Sequence, residues 1–486
     1  MFIAPHEWSF PSAVTEVDKK PCLASLYQRL SGGNQGTGGT SARLEAVALL
    51  DEHINKLDAL ACDLPDRPQD LEAWMHRGSQ AATAQYGDYL EKRKAGGPRR
   101  FFGNRAHALY FLRAVAPTKL VDGAWLYGLL KHWRNPRFSH LIRTYLEELG
   151  EGAADKNHVL IYRQLLTRHG LDLVEDLDDR FYTQGLIQLA LAGNAEDYLP
   201  ELIGFNLGYE QLPLHLLITA YELNELGIDP YYFTLHVTVD NVVTGHARRA
   251  VQAVLDNLPK LGNTNEYWRR VRRGYGLSNA GVGATEVIDG FYIEQEVISI
   301  LSTKSAAGHG AHSDYCRVAR RHVNDWLAHK QDIPELLAAL QKTGWIKRGV
   351  PVENSRFWTL LQGNRAEMFG VFSSYELQVI HDWIRGDASS DGRPYSEVTS
   401  QDSIRRPPSF RVAAKLAAAR GGVFLDIASK EGSVEMPDSD LQALTLQLPA
   451  LDEAGQEALL IAAIAPAQHW TPSGLHATKL FCSRVL

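Results

Sequence analysis

Apolar residues recur at intervals of three and four positions over most of the chain between about residues 100 and 345. This spacing places apolar side chains on one face of an α-helix. It occurs in HALYFLRAV, GAWLYGLLKHW, FSHLIRTYLEEL, HVLIYRQLLTRHG, TQGLIQLALAG, PLHLLITAYELNELG and TEVIDGFYIEQEVISIL. Glycine, proline and asparagine residues separate these runs, so the pattern predicts a mainly α-helical protein built around several packed helices.

The two flanking regions have different patterns. The N-terminal region predicts helices at about 42–63 and 69–92, preceded by a glycine-rich loop at 31–39. Residues 385–410 are polar and rich in Ser, Asp and Pro, which predicts a linker. The tail combines a helical stretch, FRVAAKLAAARG, with two β-like runs, GVFLDIA and LQALTLQLP. We therefore predict an N-terminal helical extension (1–95), a central helical domain (96–345) and a smaller C-terminal α+β region (346–486).

Composition narrows the function classes. The 486 residues are enough for two or three domains with buried cores. No run approaches the roughly 18 apolar residues that a membrane-spanning helix needs, and the first residues lack a signal-peptide pattern, which predicts a cytoplasmic protein without a membrane partner. A net charge of -7 argues against nucleic acid as a partner. The four cysteines form no CxxC pair, so neither a zinc knuckle nor a disulfide framework is indicated.

Oxygen and nitrogen donors of the kinds that bind iron occur in three segments, YLEELGEGAADKNHVLIY, GFNLGYEQLPLHLLITAY and YYFTLHVTVDNVVTGHARR. The candidate ligands are Glu147, His158, Glu210, His236, Asp240 and His246. Carboxylates and imidazoles without cysteine are the donor set of a two-iron carboxylate site. Glu210 lies in an otherwise apolar run, where a buried carboxylate needs a partner or a cation.

The spacing of these residues requires two breaks in the helices. His236 and Asp240 lie one turn apart and can reach one ion, whereas His246 would point about 80° away on a straight helix, so we expect a break near 242–245. Glu147 and His158 would be separated by about 16 Å along one helix, which is too far for one ion. We expect the chain to break in the intervening GEGAAD.

Two other groups of residues compete with this hypothesis. The segment HGAHSDYC at 309–316 contains His309, His312, Asp314 and Cys316, and the C-terminal segment contains His469 and His476. Neither has a neighbouring helix that supplies complementary carboxylates, so we favour them less. Any one of the candidate residues, taken alone, is more often structural than a metal ligand. The zinc-protease motif HExxH does not occur.

The segments GYE at 208–210, YFTLHVTVD, GHA, the upstream EELG and the pair Asn157–His158 together resemble the haem-oxygenase-like di-iron oxidases, also called iron-containing redox enzymes. The resemblance covers about residues 100–345 and implies a seven-helix, haem-free bundle. Carried over motif by motif, it implies the ligands Glu147, His158, Glu210, His236, Asp240 and His246. Two spacings are longer here than is common in that family, so Glu148 and Glu151 stay open as alternatives to Glu147.

The resemblance implies an O2-dependent non-haem oxidoreductase that holds two Fe(II) ions, with Glu210 as a catalytic ligand. Such enzymes oxidise a small amino- or carboxyl-bearing metabolite by N-oxygenation, desaturation or oxidative C–C cleavage, and fold alone does not select among these reactions. The expected partners are the small-molecule substrate and O2; an external electron donor and a homodimer stay open. Two other classes also stay open: an enzyme of the same fold that binds haem or no metal, and a helical scaffold or interaction protein.

Overall fold

The computed structural model describes residues 22–32, 38–57, 62–171, 177–239, 245–313, 315–362, 366–386 and 438–485. Helices dominate these ranges, so the prediction of a mainly α-helical protein is confirmed. None of the helices in these ranges combines enough length with enough apolar character to span a lipid bilayer.

The described residues of the N-terminal region contain three α-helices: α1 (Leu23–Ser31), α2 (Gly38–Leu57) and α3 (Leu71–Lys94). The two helices predicted here are confirmed with shifted ends. A 3₁₀ turn, Pro68–Asp70, precedes α3, and its proline fixes the backbone for helix entry. All three helices pack against helices of the central region.

The described part of the central region up to residue 279 contains ten α-helices: α4 (Arg105–Ala114), α5 (Ala116–Lys119), α6 (Ser139–Glu148), α7 (His158–Arg168), α8 (Thr183–Gly193), α9 (Leu199–Tyr209), α10 (Leu214–Glu225), α11 (Tyr231–Val239), α12 (His246–Asp256) and α13 (Thr264–Leu277). The run GAWLYGLLKHW is instead a 3₁₀ helix, Ala124–His132. Residues three apart share a face in both helix types, so apolar spacing does not distinguish them.

Helices α9 and α13 cross with their backbones in contact. A Cβ atom on Gly204 would lie 1.9 Å from the Val271 carbonyl oxygen, and one on Gly274 would lie 1.9 Å from the Glu201 carbonyl oxygen. Only glycine permits this approach. Arg270 and Glu201 form a two-pronged ion pair across the same crossing. The close crossing and this ion pair therefore set the position of the C-terminal end of α9.

The rest of the described chain contains α14 (Ala284–Asp289), α15 (Ile293–Gly308), β1 (Arg317–Val318), β2 (Arg321–His322), α16 (Val323–Leu327), α17 (Ile333–Lys342), α18 (Arg356–Gln362), α19 (Ser374–Arg385), α20 (Ser439–Gln447), α21 (Glu453–Ala463) and α22 (Pro472–Val485). The two short strands are antiparallel, with Arg317 opposite His322 and Val318 opposite Arg321. Further 3₁₀ turns are Pro136–Phe138, Gly150–Gly152, Asp179–Tyr182, Lys330–Asp332, Val352–Asn354 and Leu448–Ala450.

The predicted strand in LQALTLQLP is wrong, because most of this run forms α20. The Asp438 carboxylate accepts a hydrogen bond from the Leu441 backbone amide at 2.7 Å, and this cap starts the helix. A short apolar run can form either a strand or a helix, and here the N-terminal cap favours the helix. The predicted strand GVFLDIA, the helical stretch FRVAAKLAAARG and the predicted linker beyond residue 386 lie outside the described residues.

One buried apolar cluster joins the three predicted regions. It contains Leu50 of α2, Leu202 of α9, Val254 of α12, Leu460 of α21 and Phe481 of α22. The C-terminal helices therefore bury their apolar faces against the central helices. The boundaries near residues 95 and 345 stay a prediction.

Candidate metal centre

The chain reverses between α6 and α7. Glu148 is the last residue of α6, His158 is the first of α7, and the 3₁₀ turn between them has left-handed backbone at Gly150 (φ 66) and Gly152 (φ 84). A Cβ on Gly150 would lie 2.5 Å from the Asn157 amide nitrogen, so glycine is needed there. The break predicted in GEGAAD is confirmed. It brings His158 Nδ1 within 2.5 Å of Glu148 Oε2.

The Asn157 side chain holds this reversal together. Its Oδ1 accepts a hydrogen bond from the Leu160 amide at 2.9 Å and so caps α7. Its Nδ2 donates to the Leu149 carbonyl oxygen at 3.2 Å and lies 3.1 Å from His469 Nδ1, in the segment before α22. One buried amide thus ties together the end of α6, the start of α7 and the C-terminal region.

A first group of four buried residues could hold a metal ion. Asp122, Glu148, His158 and His236 each offer one ligand atom, and these atoms all lie within 4.8 Å of one another. His236 Nδ1 lies 2.8 Å from the Tyr232 carbonyl oxygen, and its Nε2 lies 3.1 Å from Asp122 Oδ2. The Tyr232 hydroxyl donates to the same Asp122 oxygen at 2.5 Å. Hydrogen bonds of this kind orient ligands around a metal ion.

A second group contains Glu148, Glu210 and His246. Glu210 caps the C-terminal end of α9, and His246 begins α12. His246 Nδ1 lies 3.1 Å from Glu210 Oε2 and 3.2 Å from Glu148 Oε1. Glu148 therefore belongs to both groups, with Oε2 facing His158 and Oε1 facing His246.

The contact between Glu148 and His158 fits a metal ion better than a hydrogen bond. Among the described residues, neither Glu148 Oε2 nor His158 Nδ1 has a hydrogen-bond partner with acceptable geometry, although they are 2.5 Å apart and buried. Buried polar atoms are ordinarily hydrogen-bonded. Two such atoms that converge, in a donor set of carboxylates and imidazoles, suit a cation such as iron.

The two central carboxylates are ionised. Burial pushes the pKa of Glu148 upward, but His158 and His246 outweigh burial and hold that pKa well below its ordinary value. Burial likewise raises the pKa of Asp122, whereas Lys119 and His236 lower it, and the net pKa is below the ordinary value. Both groups are thus in the charged form that binds a metal ion.

Without a metal ion, His236 carries an additional proton. Burial lowers the pKa of His236, but the facing Asp122 raises it to a net value of about 9. The ring is therefore protonated on both nitrogens at neutral pH and donates to Asp122. A metal ion bound to His236 Nε2 would displace that proton.

The structure brings together His158, Glu210, His236 and His246 of the six predicted ligands. The predicted break between His236 and His246 is confirmed, because they lie on two separate helices, α11 and α12. Asp240 lies outside the described residues.

Glu147 lies at the edge of the site and in neither group. Its carboxylate accepts hydrogen bonds from Arg249 at 2.6 Å and Arg143 at 3.1 Å, and its Oε2 is 3.1 Å from His246 Nε2. The alternative Glu148 occupies the shared position instead, because successive residues of a helix point about 100° apart. The alternative Glu151 is exposed, and the assignment of individual ligands stays a prediction.

Sequence reasoning missed Asp122. This residue lies between α5 and the 3₁₀ helix Ala124–His132, just before Gly123, whose backbone is left-handed (φ 79). It is only 2 % exposed. Asp122 is an acidic residue within the apolar run LVDGAWL, and the same pattern identified Glu210. This pattern could therefore have identified Asp122 as a candidate ligand.

The competing sites are not supported within the described part of the chain. No potential ligand group forms around His309 and His312 there, and Asp314 lies outside the described residues. His469 is buried against Asn157, and burial lowers the pKa of His469 to about 3, so its ring is neutral. His476 is exposed.

A cavity of about 380 Å³ opens onto both groups. Asp122, Glu148, Glu210 and His236 are among the residues that line it. Its lining also includes the apolar residues Val115, Trp125, Leu216 and Val282. The site therefore has room for a small organic molecule beside the ligand atoms.

The fold and the site together define a helical protein with a buried carboxylate and imidazole metal site beside a small-molecule cavity. Residues 109–279 match the family model described as iron-containing redox enzyme, and this span includes every residue of both groups. The predicted resemblance is confirmed over that span, which indicates an iron-dependent oxidoreductase. No curated protein and no solved structure matches the chain at a significant level.

Proposed function

We propose that the protein is a non-haem di-iron oxygenase or oxidase that uses O2 to oxidise a small amino- or carboxyl-bearing metabolite. The observation that carries the proposal is the position of Glu148, whose two oxygens face two separate groups of buried donors. A site for a single metal ion would use only one of these two donor groups. A carboxylate between two groups is the arrangement that two-iron sites require.

In this proposal Asp122, His158 and His236 hold one ion, Glu210 and His246 hold the other, and Glu148 is shared. Asp240 stays a proposed ligand. Two Fe(II) ions bound there would supply the electrons for activation of O2. Glu210 lines the cavity together with Asp122, Glu148 and His236, and we propose it as a catalytic ligand.

Residues around the ligands would orient them and restrict water. The Tyr232 hydroxyl donates a hydrogen bond that fixes one Asp122 oxygen. The Asn157 side chain bonds the backbone at Leu149 and Leu160 and so fixes the positions of Glu148 and His158 relative to each other. The Trp125 and Tyr209 rings are in contact with their planes tilted by 56° and their centroids 4.8 Å apart, and both line the cavity. Such apolar walls exclude water and strengthen electrostatic interactions inside the site.

The reaction would be N-oxygenation, desaturation or oxidative C–C cleavage, in the cytoplasm. The partners would be the substrate and O2, with an external electron donor where the reaction requires one. The protein's contribution is to position the substrate against the ligand groups.

Anaerobic loading with Fe(II) tests this proposal. We expect about two irons per chain and O2 consumption on exposure to air. In Glu210→Ala we expect about one iron per chain and no O2 consumption, with the fold retained. His312→Ala and His476→Ala are controls that should keep both irons.

Three results would overturn the proposal. One is iron content near zero in the wild-type protein. Another is iron loss in His312→Ala with normal loading in Glu210→Ala. The third is a stoichiometric haem absorption band, which would support a haem-binding enzyme of this fold.

A further inference from the structure

Among the described residues that line the cavity, Lys119 is the only lysine or arginine. Its ammonium nitrogen lies 5.4 Å from the centre of the Tyr209 ring and 5.7 Å from the centre of the Tyr232 ring. No carboxylate of the described residues forms a salt bridge with it. The cavity therefore contains a cation that is packed against aromatic rings and not neutralised by direct pairing.

Lys119 is charged at neutral pH. Burial lowers its pKa, but Tyr209, Asp122 and Glu148 raise it, and the net pKa is above the ordinary value for lysine. In the metal-free protein, the nearby carboxylates Asp122 and Glu148 balance this charge at a distance.

Iron loading would change this balance, an argument that rests on the proposed function. The two groups contain three carboxylates, Asp122, Glu148 and Glu210, and the proposed ligand Asp240 would make four. Two Fe(II) ions carry four positive charges, so the loaded centre is neutral or positive. The charge of Lys119 is then no longer balanced by the ligand carboxylates, and the cavity becomes attractive to an anion.

His215 provides a second polar group on the cavity wall near Lys119. Burial, with a smaller contribution from Lys119, lowers the pKa of His215 to about 4, so the ring is neutral at pH 7. A neutral imidazole can donate one hydrogen bond without adding charge. The same cavity is also lined by Val115, Leu216 and Val282, which suit an apolar substrate body.

We propose that Lys119, assisted by His215, binds the carboxylate of the substrate, and that the substrate is a small carboxylic acid and not a simple amine. Lys119 would be a specificity-determining residue that touches the substrate without binding metal. Because Lys119 lines the same cavity as Asp122 and Glu148, the carboxylate end of the substrate would lie beside the metal groups. An amine at this position would meet the like charge of the Lys119 ammonium.

Calorimetric titration of the anaerobic, Fe(II)-loaded protein tests the proposal without turnover. The probes are hexanoate and hexylamine, which have the same chain length and opposite charge. We expect hexanoate to bind and hexylamine not to bind. Because the Lys119 ammonium would form a charged hydrogen bond with the hexanoate carboxylate, Lys119→Met should lower the hexanoate affinity about tenfold or more. Lys119→Arg should restore part of that affinity.

Iron content, measured on the same samples, separates the possible failures. Lys119→Met should keep the wild-type iron content, and Lys131→Met, which removes an exposed lysine paired with Glu196, should keep wild-type affinity. The proposal is overturned if hexanoate fails to bind the loaded protein, if hexylamine binds more tightly, or if Lys119→Met binds hexanoate normally. The last result would indicate direct binding of the carboxylate to iron. Absence of iron from the wild-type protein would instead reject the proposed function.

Discussion

The two metal-ligand groups differ in how firmly the protein holds them. The first group has four buried donors, and hydrogen bonds from Tyr232 and Asn157 hold its parts in place. The second has three described donors, all of them at helix ends, and its His246 ring also contacts Glu147. We infer that the first group is the more rigid and that the second depends more on neighbouring charges.

This difference predicts stepwise loading with iron. An ion in the first group gains four ligands from one preformed cluster. An ion in the second group must compete with the contacts of His246 to Glu147, which Arg249 also holds. We therefore expect the first group to bind iron more tightly, and the two groups to be coupled through Glu148.

The largest expected effect is that of Glu148→Gln. The substitution keeps the side-chain size but removes the charge that both groups share, so iron content should fall from about two per chain to near zero. Metal analysis after anaerobic loading and desalting measures this. The matched control is Glu147→Gln, one residue earlier on α6, which should keep most of the iron. Equal iron content in the two variants would show that Glu148 is not shared between two ions.

The next effect distinguishes the two groups. His246→Ala should keep about one tightly bound iron, because the first group is intact. His158→Ala should lose the tight iron and leave at most one that a chelator removes easily. Fe(II) titration in competition with a chromogenic chelator measures both. If His246→Ala loses the tight iron and His158→Ala keeps it, the order of affinities is the reverse of the one argued here.

The sequence identified the features that depend on local pattern. The helical periodicity, the glycines of GEGAAD and the acid in an apolar run predicted the central helices, the reversal after α6 and the burial of Glu210. These features follow from side-chain spacing and backbone freedom within a few residues. They did not require knowledge of which helices meet.

Features that depend on tertiary contacts were beyond the sequence. The choice between Glu147 and Glu148 depends on the rotation of α6 about its axis, which packing sets. Asp122 reaches the site through a non-helical turn that no ligand motif marks. The contact of His469 with Asn157 joins residues 312 apart in the chain. Each of these depends on how distant elements meet, which local spacing does not encode.

A smaller effect is expected for Asn157→Ala, which weakens the first group alone. Loss of the cap and of the buried hydrogen bonds should lower the free energy of unfolding by about 1–3 kcal/mol. The chelator should also remove the tight iron more easily, although saturating Fe(II) still loads both positions.

The control for this variant is Asn263→Ala, which removes an exposed cap of α13 whose side chain accepts from the Glu266 amide at 3.0 Å. It should destabilise by about 1 kcal/mol and leave iron affinity unchanged. Equal iron affinities in the two variants would mean that Asn157 contributes only to folding.

The last effect is on stability alone and concerns the pH dependence of the metal-free protein. The pKa of His236 is raised from 6.5 to about 9, mainly by the facing Asp122, which outweighs the opposing effect of burial. A group whose pKa is higher in the folded state contributes stability that is fully present below about 6.5 and is lost as the pH rises through about 9. Urea unfolding of the metal-free protein between pH 6 and 9.5 should therefore show stability falling across this window. The fall should be weaker in His236→Gln, which has no titrating ring, and in the iron-loaded wild type, where the metal replaces the proton on Nε2. If the stability of the metal-free wild type changed with pH in the same way as that of His236→Gln, Asp122 and His236 would not share a proton. That result would remove one of the reasons for treating the first group as the more firmly held.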